Sequence, residues 1–351
     1  MKDKKDLFIG SLLGGAIGDA LGYTIEFMTL NEIKSKFGRN GITDLEIDRT
    51  AKKALISDDT QMTLFTADGI IWAYLRCSER GIGSYAGSGT YQSYLRWYYT
   101  QTGRMPTDSD EFWLELQPHE EKAGILNYKE LFSQRAPGNS CLTALESGRM
   151  GTIDEPINNS KGCGGVMRVA PVGLFLNREP EYSFRVAAEI AAITHGHPTG
   201  YLAAGALATI IAELVNGKDI IESTISAMNI LKKYKDYEET LYAIEQSIKL
   251  AESNENAEQA IKKLGEGWVA EEALAVALYC ALKNTDIKKA LIMSVNHDGD
   301  SDSTGAICGN ILGATYGISA LPKEWIENIE LKDLLIIMST KLYDLSEHAF
   351  N

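Results

Sequence analysis

Two short acidic clusters carry the residue types best suited to chemistry: Ser57-Asp58-Asp59-Thr60, and Asp298-Gly299-Asp300-Ser301-Asp302-Ser303-Thr304. Each precedes an apolar stretch with helical spacing, so helix capping explains part of the pattern. Ser and Asp are preferred N-caps, and acidic side chains in a first turn complement the helix dipole by about 0.3–1 kcal/mol each. Capping needs only one or two such residues, whereas the second cluster places three carboxylates within five positions. That surplus repulsion calls for a cation. Carboxylates and hydroxyls without cysteine favour hard ions, Mg²⁺, Mn²⁺ or Ca²⁺, over zinc, and the pair His195 and His197 lacks the further ligand spacing of a zinc site.

Three familiar motifs compete for these residues, and each fails a check. An EF-hand loop opening at Asp298 would put its turn glycine at Ser303 and its bidentate glutamate at Gly309. Asp300, Asp302 and Thr304 satisfy an aspartate-nucleophile phosphatase pattern, but that pattern needs a preceding strand and a following parallel sheet, and too little chain remains to build one. A D-D-x-x-D motif would need an acid where Met62 stands. The reading left is a two-part metal site assembled from distant clusters.

The elements that must bring the clusters together are helices. The 351 residues include only 8 prolines, and apolar residues recur at three and four, as in Met62, Phe65, Ile70, Ala73 and Tyr74 or in Leu241, Ile244, Ile248 and Ala251. Period-two runs are scarce, which predicts an all-α fold. The stretch 103–161 is the loop-rich exception, with Pro106, Pro118, Pro137 and Pro156. Matching features flank it, so the chain reads as one domain, 1–351.

Those features are glycine ladders. Gly10, Gly14, Gly18 and Gly22 recur every fourth residue near the start, and Gly305, Gly309, Gly313 and Gly317 do so near the end. Each helical glycine costs about 1 kcal/mol relative to alanine, and close backbone approach is the usual compensation. A membrane pair would also use such stripes. Asp19 and Asn310 within them argue against it, since a carboxylate at the bilayer centre costs about 2.5–3.5 kcal/mol on insertion scales. Both ladders are therefore expected in the core, with the loops at their ends converging on one site.

Composition narrows the partners. With 34 basic and 48 acidic residues the formal net charge is −14, which repels a nucleic-acid backbone. At 44% hydrophobic and 23% charged, disorder is excluded. Cys77, Cys141, Cys163, Cys280 and Cys308 form no C-x-x-C pair and fit reduced thiols. The N-terminal residues lack a signal-cleavage pattern, so a cytoplasmic protein that neither spans nor anchors in a membrane is expected.

Five segments occur in an order that resembles the ADP-ribosylglycohydrolase family, which includes dinitrogenase-reductase-activating glycohydrolase and the ADP-ribosylarginine hydrolases. They are Leu12-Leu13-Gly14-Gly15-Ala16-Ile17-Gly18-Asp19-Ala20-Leu21-Gly22, Ser57-Asp58-Asp59-Thr60, Gly162-Cys163-Gly164-Gly165-Val166-Met167-Arg168, Thr194-His195 and Gly299-Asp300-Ser301-Asp302-Ser303-Thr304. Single motifs are weak, but five in register over residues 7–320 are specific.

The resemblance implies an orthogonally packed multi-helix domain with two Mg²⁺ or Mn²⁺ ions at the bottom of a cleft. Ser57, Asp58, Asp59, Asp300, Asp302 and Ser303 would be the ligands, with Asp302 bridging both ions. Adjacent residues on a regular helix diverge, so Asp58 and Asp59 are expected at a frayed helix start. Glu26 would lie beside the metals as an acidic gate, and Glu26, Asp58 or Asp59 would act as base. Asn159, Ser160, Gly162, Cys163, Gly164 and Gly165 offer backbone N–H groups to a pyrophosphate at the start of a helix that begins at Val166, and His195 matches a substrate contact. Gly138-Asn139-Ser140-Cys141 resembles a further cleft loop without an assigned role. The implied reaction is metal-dependent hydrolysis of the bond between ADP-ribose and a protein side chain. Ser303 in the Gly-Asp-Ser-Asp-Ser-Thr run favours ADP-ribosylarginine over ADP-ribosylserine. Two alternatives stand beside it: hydrolysis of a free ADP-ribosyl metabolite, and a non-catalytic ADP-ribose-binding module.

Overall fold

The computed structural model describes residues 3–115 and 124–349, so the expected break at Pro118 lies outside them. The first half contains helices α1 (Lys4–Tyr23), α2 (Leu30–Phe37), α3 (Asp58–Arg80), α4 (Gln92–Thr102), α5 (Phe112–Glu115), α6 (Asn139–Glu146), α7 (Ala170–Phe175), α8 (Pro180–Ala192) and α9 (Pro198–Val215). The second half contains α10 (Ile220–Leu231), α11 (Glu238–Glu252), α12 (Ala257–Leu264), α13 (Ala270–Lys283), α14 (Ile287–Val295), α15 (Ser301–Tyr316), α16 (Lys323–Asn328) and α17 (Lys332–Ala349). Among the described residues there is no strand, only two isolated bridges, Ala54 with Ile329 and Gly162 with Val269. The fold is all-α.

The two glycine ladders lie on α1 and α15 and face each other, Gly317 standing just past the end of α15 as its C-cap. A Cβ added at Gly14 would fall 2.4 Å from the Gly309 carbonyl oxygen, one at Gly18 would fall 2.0 Å from that of Gly305, and one at Gly22 2.2 Å from that of Ser301. At the other end, a Cβ on Gly313 would lie 1.9 Å from the Gly10 carbonyl oxygen. The helices therefore run antiparallel, backbone on backbone, with no room for a methyl group. Ser11 and Asn310 lock the register: the Ser11 hydroxyl donates to the Asn310 carbonyl (3.1 Å), and the Asn310 amide donates to the Ser11 carbonyl (2.9 Å). This register puts the C-terminal end of α1 against the N-terminal end of α15.

Around this pair the core is filled by Leu12, Ile17, Phe65, Leu207, Leu278, Ile311 and Leu335, all fully buried. Helix α9 is apolar and long enough to cross a membrane, yet 94% of its residues are buried within the fold. Its Leu, Ala and Ile residues face other helices on every side.

Candidate active site

The first acidic cluster sits at a closed helix start. Ser57 caps α3, its hydroxyl accepting from the Asp59 N–H (3.1 Å). Asp19, fully buried in α1, accepts from the N–H groups of Ser57 (2.9 Å) and Thr60 (3.1 Å) and from the Thr60 hydroxyl. A carboxylate from one helix thus satisfies the orphan donors of another, where the dipole favours negative charge. The frayed start expected for Asp58 and Asp59 is corrected: both lie in the regular first turn of α3, because Ser57 and Asp19 close it. They still both reach the same cavity.

The second cluster is held at the start of α15. Asp300 is its N-cap and accepts from the Ser303 N–H (3.2 Å). The Asp300 N–H in turn donates to the Glu266 carbonyl (2.8 Å). Gly299 makes that contact feasible, with φ of 114° and a hypothetical Cβ only 2.0 Å from the Glu266 carbonyl oxygen. Asp302 follows in the first turn, buried. Asp298 does not join this group. It is exposed and accepts from the Leu30 N–H (2.7 Å) at the start of α2, so the triple-carboxylate surplus read from the sequence reduces to Asp300 and Asp302.

A cavity of about 350 Å³ joins these clusters to the glycine-rich turn. Its walls include Glu26, Asp58, Asp59, Asp300, Asp302, Ser303, Gly162, Cys163, Gly164 and His195. Ser57, Asn159, Ser160 and Gly165 do not line it. Ser57 lies behind as the cap, Asn159 is exposed, Ser160 bonds to the Ser140 hydroxyl (2.8 Å), and Gly165 packs beneath the Gly200 carbonyl. Glu26 is buried, 7% exposed, whereas its neighbour Phe27 is 75% exposed and stacks on Trp268 at the cavity wall, ring centroids 6.0 Å apart.

The glycine turn differs from expectation. Cys163–Gly165 is a single 3-10 turn, and the helix starts at Ala170 and not at Val166. Pro171 in the first helical turn sets that start, since it tolerates a missing N–H only there. A third helix N-terminus meets the cavity beside those of α3 and α15, that of α6, from the Gly138-Asn139-Ser140-Cys141 loop. The Gly138 N–H donates to Asp58 (3.2 Å), and Gly138, Asn139 and Ser140 line the wall. Two backbone bonds tie the glycine turn to the Trp268 loop: the Cys163 N–H to the Trp268 carbonyl (3.2 Å), and the Ala270 N–H to the Lys161 carbonyl (2.9 Å).

Burial dominates the electrostatics. It pushes Glu26 up to about 9, with Asp300 and Asp58 adding repulsion. Asp58 is raised to about 8 by burial, partly offset by the Gly138 N–H. Asp59 and Asp302 are raised well above the ordinary range, again first by burial and then by each other's neighbourhood of carboxylates. Burial and the nearby Arg168 charge lower His195 to about 3, so its ring is neutral. His197 faces elsewhere, accepting the Thr199 N–H at the start of α9, which removes a His195–His197 metal pair.

The donor set fits a hard divalent cation. No ion pair to Lys or Arg reaches Glu26, Asp58, Asp59, Asp300 or Asp302 among the described residues, and the Glu26 Oε2 and Asp59 Oδ2 atoms are buried without a partner. Buried carboxylates without counter-charge are costly unless a cation binds. Among the described residues no three His, Cys, Asp or Glu side chains already form a closed ligand set. One Asp58 oxygen accepts the Gly138 N–H (3.2 Å) and one Asp300 oxygen the Cys163 thiol (2.8 Å), and each carboxylate keeps further lone pairs for a cation. A second cavity, lined by Tyr74, Cys77, Tyr85 and Tyr182, has neither carboxylate nor imidazole.

Sequence reasoning gave no site role to Asp19, Arg168 or Trp268, and it expected the Gly138–Cys141 loop in the cleft without recognising it as a helix N-terminus. Asp19 and Arg168 stand inside recognisable motifs, but only the tertiary packing gives them partners.

Residues 1–350 match the ADP-ribosylglycohydrolase family profile. The chain is 25% identical to the ADP-ribosyl-[dinitrogen reductase] glycohydrolase of Rhodospirillum rubrum, over 93% of this chain and 91% of that protein. It is also 25% identical to the ADP-ribosylarginine hydrolase Tri1 of Pseudomonas putida, over 95% and 77% respectively. The solved structure of an ADP-ribosylglycohydrolase-related protein complex superposes with a TM-score of 0.66 at 21% identity, covering 99% of this chain and all of that one. Carried by a profile match over nearly its whole length, the chain belongs to the ADP-ribosylglycohydrolase family, whose members are hydrolases of ADP-ribose glycosidic bonds.

Proposed function

We propose that this enzyme hydrolyses the bond between ADP-ribose and a modified protein side chain, with ADP-ribosylarginine as the preferred linkage. The observation that carries it is the single cavity in which buried carboxylates meet the glycine turn, the α6 N-terminus and neutral His195. In this reading Asp58, Asp59, Asp300, Asp302 and the Ser303 hydroxyl would hold two divalent cations, Mg²⁺ or Mn²⁺. Ser57 contributes from behind, its hydroxyl already engaged by the Asp59 N–H. Bound cations would supply Lewis-acid polarisation and a more acidic water.

The chain's own groups do the rest. The backbone N–H groups of Asn139, Ser140 and Gly164 face an anionic pyrophosphate, those of Gly138, Gly162 and Cys163 being engaged by Asp58, Ser160 and Trp268. Ser160 supports the glycine turn from outside the cavity, its hydroxyl accepting the Gly162 N–H (3.3 Å), Gly165 ends it, and Asn159 stands exposed beside it. Glu26, Asp58 or Asp59 accepts the proton from the attacking water; the bond from the anomeric carbon to the guanidine nitrogen breaks, and the departing guanidine takes up a proton. Phe27 and Trp268 favour a cationic leaving group, because a guanidinium over an aromatic face gains about 0.5–2 kcal/mol.

Five free cysteines support a reducing, cytoplasmic location, and a core running from Leu7 to Leu342 supports one folding domain. The deciding experiment incubates the enzyme with arginine- and with serine-ADP-ribosylated protein, with Mg²⁺ or Mn²⁺ and with chelator. Release from the arginine conjugate that stops on chelation and returns with metal is expected. Release undiminished after complete metal removal overturns the metal assignment. Release from serine alone overturns the linkage, and tight ADP-ribose binding without release from either identifies a binding module.

A further inference from the structure

Arg168 is fully buried, carries no carboxylate partner among the described residues, and lies outside the cavity. Its guanidinium sits 4.2 Å from the Tyr94 ring centroid and donates to Met62 Sδ (3.2 Å), Cys141 Sγ (3.3 Å) and the Thr194 hydroxyl (2.7 Å). The Thr194 hydroxyl lies 2.9 Å from His195 Nδ1. A buried cation with no ion pair is expensive unless it organises something.

We propose that Arg168, acting through the Thr194 hydroxyl, fixes His195 as the Nε2–H tautomer, so that the imidazole presents a hydrogen-bond donor to an anionic oxygen of the substrate. The proton inventory favours one direction for the bond between Thr194 and His195. A guanidinium has no acceptor atom, so the Thr194 oxygen must accept from it. The Cys141 thiol, 4.0 Å away, also points its donor at that oxygen. With the thiol as the donor in that contact, the one hydroxyl proton of Thr194 goes to His195 Nδ1, at 2.9 Å its nearest acceptor, and the ring proton of the neutral imidazole then sits on Nε2. Nε2 has no partner among the described side chains and backbone groups. The turn beside it is glycine where a side chain would cover it: a Cβ at Gly164 would lie 3.2 Å from Nε2, and one at Gly162 3.5 Å. The ligand atom this edge suits is an acceptor without a proton, which describes a pyrophosphate oxygen. That last step rests on the proposed ADP-ribose substrate; the tautomer does not.

The test is long-range ¹H–¹⁵N NMR of ¹⁵N-histidine-labelled full-length protein without ligand, with the His195 signals assigned from His195→Asn. Protonated Nε2 and unprotonated Nδ1 are expected. Thr194→Val keeps the volume and removes the hydroxyl; it should convert His195 to a tautomer mixture and weaken ADP-ribose binding about tenfold, and Thr194→Ser should restore both. Arg168→Lys should give an intermediate effect on both readouts. A wild-type ring protonated at Nδ1, or a folded Thr194→Val with unchanged tautomer and affinity, overturns the proposal. If the wild-type protein fails to bind ADP-ribose while the Nε2–H tautomer is seen, the substrate reading falls and the relay stands.

Discussion

Asp19 illustrates how one carboxylate organises a site whose cavity it does not line. It accepts three hydrogen bonds at the start of α3, and burial raises its carboxyl only to about 6 because those donors favour the charged form. Replacing it by Ala leaves buried donors unsatisfied at about 1–3 kcal/mol each. Asp19→Ala should therefore lose at least about 3 kcal/mol in denaturant unfolding, whereas Asp19→Asn, which keeps an acceptor oxygen, should lose about half. Equal stability of the Ala variant and the wild type would remove this capping role. At the same scale, Asp302→Ala should abolish turnover with little loss of metal-free stability, since it removes one of several repelling buried carboxylates. A folded Asp302→Ala enzyme with normal turnover would contradict the bridging assignment. The reach of sequence reasoning is visible in these residues. Asp58, Asp59, Asp300 and Asp302 were recognisable because acids beyond capping need stand together; Asp19 stands alone among apolar neighbours, and its partners lie 38 to 41 positions away. Asp298 shows the converse. Adjacent in sequence to the cluster, it points instead to the start of α2.

At the scale of elements, the α1–α15 contact sets the distance between the two acidic clusters. The ladder spacing announced close approach, but not its partner, its antiparallel sense or the alignment that places Gly22 on Ser301. Those depend on carbonyl positions that no residue type encodes. Gly18→Ala tests the contact with opposing magnitudes in play. Alanine gains about 1 kcal/mol in helix propensity, yet its methyl would lie 2.0 Å from the Gly305 carbonyl oxygen, a backbone atom that cannot turn aside. Overpacking costs about 1–3 kcal/mol even where side chains can adjust, so net destabilisation is expected by thermal unfolding, together with weaker Mg²⁺ binding as the cluster on α15 shifts from that on α3. A more stable Gly18→Ala protein would show that the helices part freely. The glycine turn marks another limit. Three glycines before Val-Met-Arg read as a helix start, but Pro171 delayed the helix, and the helix start that joins those of α3 and α15 at the cavity was the short α6 behind Pro137, whose eight residues gave little periodicity to detect.

For the molecule as a whole, the net charge of −14 is unevenly distributed in consequence if not in number. Exposed acids have water as counter-medium; the buried carboxylates do not, and their titration links pH, metal and stability. In the unfolded chain they titrate near about pH 4. In the fold Asp58 and Glu26 titrate near about 8 and about 9. Between these limits the native state binds more protons than the unfolded state, so the stability of the metal-free protein falls as pH rises through this window. A divalent cation reverses the sign for the same groups, because it binds the carboxylates once they are deprotonated and releases their protons. At 100 times Kd a native-state ligand stabilises by about 2.7 kcal/mol, which for a chain of this length is a Tm increase of about 4 °C. The Tm gain from a fixed Mg²⁺ or Mn²⁺ concentration should therefore be larger at pH 8.5 than at pH 6, and the difference should shrink in Asp302→Asn. Thermal unfolding at the two pH values, with and without metal, measures it. A gain that is the same at both would mean that the cations bind somewhere other than the buried carboxylates.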